Sequence, residues 1–109
     1  MRNTILNTQA SESLFKAILS LDTLEEAKRF FRDLLTPEEI AEFSKRWQAA
    51  QMLSQKVPYT TIVKKTKLSS TTVARVSRWL TQGMGGYKLI LNRITSSHHA
   101  LSSFEKGLR

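Results

Sequence analysis

The sequence predicts an all-α protein built around a helix-turn-helix. Three observations carry that prediction. Apolar residues recur at spacings of three and four along most of the chain, capping signatures precede several of those runs, and no run pairs strand-like alternation with hairpin punctuation. Thr60-Thr61-Ile62-Val63 and Thr71-Thr72-Val73 are β-branched, yet each lies inside a helical spacing.

The elements follow in order. Leu14, Phe15, Ile18, Leu19 and Leu21 form the first helical stripe, with Ser11 or Ser13 as its N-cap. Thr23-Leu24-Glu25-Glu26 fits a capping box, and Leu24, Ala27, Phe30, Phe31 and Leu34 make the buried face expected of a second helix. Thr36-Pro37-Glu38-Glu39 is a stronger start signal: a capping hydroxyl, a proline with φ preset for the first helical position, and a glutamate at the capping-box position. Ile40, Phe43, Trp47, Ala50 and Leu53 then extend a long amphipathic helix to about Gln55, where Val57-Pro58 ends it. A short helix over 59–66, a turn near 67–69 and a helix over 70–80 come next. Gly83-Met84-Gly85-Gly86 supplies positive φ for a stop and turn, and Tyr87, Ile90, Leu91 and Ile94 predict a last helix. From Thr95 onward serine, histidine and small residues prevail, and 95–109 reads as a disordered tail.

The length of 109 residues fits a single domain, taken as 1–94, with 11–55 as dimerisation helices, 59–80 as the helix-turn-helix and 87–94 as the C-terminal helix. The absence of cysteine excludes disulfides, a thiolate zinc site and a cysteine nucleophile. No apolar run approaches the roughly 20 residues of a membrane span, and Met1-Arg2-Asn3-Thr4 opens no signal peptide, so the expected location is cytoplasmic. His98-His99 lacks a third ligand, so no metal is expected. No Ser/His/Asp set, phosphate-cradling glycine loop or ligand cluster supports an enzyme.

Charge is segregated. Residues 1–42 hold 8 acidic and 5 basic side chains, whereas residues 43–104 hold 10 basic ones and no carboxylate, within a total of +8. Such a stretch cannot neutralise itself locally, and its positive field attracts polyanions. Within it, residues 61–76 have helix-turn-helix grammar. Ile62 and Val63 face inward from the first helix, Leu68 plugs the junction, and Val73 and Val76 hold the second helix in place. Ser69 or Ser70 caps that second helix. Ser69, Ser70, Thr71, Thr72 and Ala74 fall on the groove side, with Lys64, Lys65 and Lys67 on the phosphate side. Lys67 stands where many such motifs carry glycine for a positive φ.

Leu35-Thr36-Pro37-Glu38-Glu39, Arg46 in the long helix and the closing Thr72-Val73-Ala74-Arg75 together resemble the Trp repressor superfamily. With the Gly83–Tyr87 junction, they are most similar to its YerC/YecD branch of TrpR-related proteins, over residues 11–94. The resemblance implies an intertwined, all-helical homodimer with two DNA-reading heads. It also implies an effector pocket: Arg46 and Arg75 match the arginines that sandwich an indole, and Thr36 matches the pocket threonine. Here, however, Val76 replaces the pocket glycine and Trp79 a small serine. Either these side chains fill the pocket, which is the favoured reading, or a smaller amino-acid-like effector binds. With the pocket filled by the protein's own side chains, Arg46 and Arg75 become phosphate or structural contacts, and Arg75 joins the DNA-binding residues. No cofactor is otherwise expected.

The function that follows is a repressor-like transcriptional regulator binding double-stranded DNA at a pseudo-palindromic operator, independent of tryptophan. The alternatives are a nucleic-acid binder without sequence preference and a protein-interaction adaptor with a basic face.

Overall fold

In a computed structural model the described residues, 4–96, form six helices and no strand. They are α1 (Gln9–Leu19), α2 (Leu24–Leu34), α3 (Pro37–Ser54), α4 (Tyr59–Thr66), α5 (Ser70–Gln82) and α6 (residues 86–96). The chain divides into two compact units, one ending at Ile40 and the other beginning at Ala41.

In the first unit, the cap of α1 lies three residues before the earlier of the two expected serines. Thr8 Oγ1 accepts from the Ser11 amide at 3.0 Å, so Ser11 is a recipient of capping. The capping box of α2 forms with a shift. Thr23 Oγ1 accepts from the Glu26 amide at 3.0 Å, while Glu26 Oε1 accepts from Asp22, one residue before the cap, at 2.9 Å. At α3 the reciprocal pair closes fully: Thr36 Oγ1 accepts from the Glu39 amide and Glu39 Oε1 accepts from the Thr36 amide.

The apolar face expected to be buried on α2 is not buried within the chain. Neither α1 nor α2 contains a buried residue, and Leu19 and Leu24 are 83% and 72% exposed. Phe30 and Phe31 meet edge to face, with centroids 5.6 Å apart. Two 11-residue helices are too short to enclose both apolar stripes, so large side chains remain in solvent.

The second unit holds the core. Ala49 and Ala50 of α3, Ile62 of α4, Leu68 of the turn, and Val73 and Val76 of α5 form one buried cluster. Trp47, Met52, Leu53, Val57, Val63 and Tyr87 pack against it. The two alanines leave room for α4 and α5 to pack closely. Trp47 stacks on Tyr87 of α6, with centroids 6.3 Å apart and the rings 24° from parallel. Trp47 is therefore committed to packing. Further toward the N-terminus of α3 the stripe opens, and Phe43 is half exposed.

The helix stops rest on particular backbone states. α3 ends at Ser54, just before the expected Gln55, because Lys56 turns left-handed (φ 62°) and the Val57 amide reaches back to the Met52 carbonyl at 3.0 Å. α4 ends likewise on Lys67 (φ 64°), whose amide donates to the Val63 carbonyl at 2.9 Å. α5 runs two residues past the expected Leu80. In the glycine-rich junction it is Gly85, not Gly83, that takes a positive φ (82°). Gly83 is required for space, since a Cβ there would collide with the Trp79 carbonyl. Thr95 and Ser96, expected in the tail, belong to α6. The rest of the expected tail, with His98-His99, lies outside the described residues, as do residues 1–3.

Candidate nucleic-acid interface

Thr66 holds the turn between α4 and α5. It is the one buried polar residue among those described; its hydroxyl donates to the Ile62 carbonyl at 2.7 Å and accepts from the Leu68 amide at 3.2 Å. One side chain thus ties the last turn of α4 to the residue that plugs the junction. A buried hydroxyl satisfied in both senses stabilises the turn, where an unpaired one would cost about 1–3 kcal/mol.

Beyond the turn, Ser69 is the N-cap of α5. Its Oγ accepts from the Thr72 amide at 3.1 Å and donates to Thr72 Oγ1 at 2.9 Å. The Ser69 hydroxyl is therefore spent within the protein. Thr72 is partly buried and keeps its own hydroxyl proton. Ser70 and Thr71 are exposed, and their hydroxyls make no hydrogen bond among the described residues. Of the four hydroxyl side chains expected around this helix start, two are fully free.

Ala74 and Arg75 are exposed one turn further on. Thr71, Ala74, Arg75, Arg78 and Trp79 line a single shallow cleft of about 300 Å³ along the helix. Their spacing of three and four residues places them on one face. Val73 and Val76 occupy the opposite, buried face, so the amphipathic pattern of α5 dictates which side looks outward. Lys64, Lys65 and Lys67 are exposed at the end of α4 and in the turn. None of them pairs with a carboxylate among the described residues, in keeping with a segment that has none to offer.

The Trp repressor protein family profile matches residues 9–95. The chain belongs to the Trp repressor family. It is 39% identical over 92 residues to the uncharacterized protein YerC of Bacillus subtilis (strain 168), covering 84% of this chain and 88% of that one. Among solved structures it is similar to a TrpR-like protein from Eubacterium eligens ATCC 27750, with 44% identity and a TM-score of 0.82, covering 85% and 96% of the two chains. A candidate Trp repressor from Staphylococcus aureus follows at 40% identity and a TM-score of 0.81, covering 87% and 95%. Membership of the Trp repressor family is consistent with a DNA-binding regulator. No described helix is long and apolar enough to cross a membrane, and no described group of His, Cys, Asp and Glu could hold a metal.

The residues that the Trp repressor family resemblance assigns to an effector pocket have the following environments. Thr36 caps α3. Arg46 pairs with Glu42 at 3.4 Å and lies 5.8 Å from the Phe43 ring centroid. Val76 is 3% exposed within the core, and Trp79 is half exposed beside Arg75 and Arg78. Arg78, which is not among the residues expected in the site from sequence, shares this outward face. Its signal was present in the spacing from Thr71, Ala74 and Arg75, on the side opposite the inward Val73 and Val76.

Proposed function

We propose that this protein is a dimeric, sequence-specific, repressor-like DNA-binding regulator whose α5 enters the major groove N-terminus first. The carrying observation is the outward face of α5: free hydroxyls on Ser70 and Thr71, Ala74 allowing close approach and Arg75 beyond, on a carboxylate-free segment. Ser70 and Thr71 donate to or accept from base edges, and Arg75 offers a fork for guanine. Lys64, Lys65 and Lys67 hold phosphates, supplying affinity without sequence information. Thr72 and Ser69 contribute chiefly by fixing the helix start.

Two heads on one pseudo-palindromic operator, with half-sites about 34 Å apart, require a dimer. The exposed apolar surface of α1 and α2 supports the assignment of 11–55 to that interface. Leu19→Glu or Leu24→Glu splits the assembly into monomers at concentrations where the parent sediments as a dimer. A monomeric parent overturns this part of the reading.

Regulation by tryptophan is not part of the function proposed. Val76 carries an isopropyl group, packed in the core, where the family pocket has glycine, and Trp79 places an indole where it has a serine. Selection of bound duplexes from a random pool, with and without amino acids, tests sequence preference and effector dependence together. On the selected site, Thr71→Ala in both copies lowers affinity by about 1–3 kcal/mol, at about 0.5–1.5 kcal/mol per lost hydrogen bond, while leaving binding to random duplex nearly unchanged. Equal weakening on both duplexes removes α5 from the role of reader.

A further inference from the structure

Arg78 is exposed, and its guanidinium makes neither a hydrogen bond nor an ion pair among the described residues. It shares one cleft with Thr71, Ala74, Arg75 and Trp79. Its position along α5 decides what it can reach. At 1.5 Å per residue, Arg75 lies about 6 Å behind Thr71 along the axis, and Arg78 about 10.5 Å behind. The major groove is about 8.5 Å deep. With Thr71 at the base edges, Arg75 is still inside the groove, whereas Arg78 has risen to the level of the phosphates at its rim. The half-exposed indole of Trp79 beside it covers one flank with an apolar surface.

We propose that Arg78 is a phosphate-gripping residue at the groove rim, which extends the DNA contact of α5 from its first turn into its third. The proposal rests on the reading of α5 as the recognition helix and assigns a division of labour along it. Thr71 and Arg75 discriminate, and Arg78 contributes affinity without sequence information. Guanidinium is suited to this because its planar fork meets two phosphate oxygens at once.

The test compares Arg78→Gln, Arg78→Lys, Thr71→Ala and the parent. Each is titrated with a duplex obtained by selection and with a random-sequence duplex of equal length, over a range of salt. For two copies on one duplex, losing one phosphate contact each lowers the log–log salt slope by about 1.8, and affinity at about 0.1 M salt by about sixtyfold. Arg78→Gln produces that loss equally on both duplexes, Arg78→Lys restores the slope, and Thr71→Ala leaves it unchanged. A parent with a steep salt slope that Arg78→Gln does not alter overturns the role of Arg78 and leaves the recognition helix standing. Loss confined to the selected duplex also overturns it, because that marks a base contact. If the parent binds neither duplex, both readings fall.

Discussion

Raising salt from about 50 to about 200 mM weakens duplex binding by about 10⁴-fold. The figure follows from four phosphate contacts per copy, made by Lys64, Lys65, Lys67 and Arg78, on two copies. Eight contacts give a log–log slope of about −7, and a fourfold change of salt then costs about four decades. Replacing the three lysines with glutamine leaves a slope of about −2. Fluorescence anisotropy over a salt series measures both. A parent slope near zero shows that the basic segment is not a phosphate surface, and the adaptor alternative then gains. Among the described residues the only ion pair is Arg46 with Glu42, the last carboxylate before the acid-free stretch.

Ile62→Ala is expected to lower stability by about 3 kcal/mol, within the range for truncating a buried aliphatic side chain. Ile62 is fully buried and, with Val73, is one of the two largest side chains so enclosed. It comes from α4 and packs in the same cluster as Val73 and Val76 of α5. The cavity therefore opens in the contact that orients the reading face. Calorimetry shows a fall in Tm of more than about 10 °C, given about 4–8 °C per kcal/mol for a domain of this size. Above that lowered midpoint DNA binding disappears. A shift below about 2 °C would show that the α4–α5 pair is held by something other than this cluster.

Much of the fold was legible because its determinants are local. A capping hydroxyl acts three residues away, proline restricts its immediate neighbour, and apolar spacing repeats every turn. The bounds of α4 and the start of α5 follow from such signals, as does the closed box of Thr36 and Glu39. Where local signals competed, the sequence left a choice. Thr8, Ser11 and Ser13 all offer a hydroxyl near the start of α1. Thr8 caps because the helix begins before either serine, leaving Ser11 Oγ to donate to the Thr8 carbonyl. Lys67 takes the left-handed state without being glycine, because the αL stop satisfies the Val63 carbonyl and Thr66 ties down the next amide.

The candidate site was legible in its residue types and less so in their assignments. Lys64, Lys65, Thr71 and Arg75 stand exposed as the amphipathic pattern requires. The engagement of the Ser69 hydroxyl with Thr72 was not legible, because both Ser69 and Ser70 offered a cap for α5.

The sequence by itself determined the helical class, the position of the helix-turn-helix and the segregation of charge, because each is a property of neighbours along the chain. Only the tertiary structure decided which apolar side chains are fully enclosed and which apolar stripe stays exposed, because those outcomes depend on surfaces brought together from distant positions. The α4–α5 core encloses Ile62, Val73 and Val76 and so turns Thr71, Arg75 and Arg78 outward, while α1 and α2 are too short to cover Leu19 and Leu24.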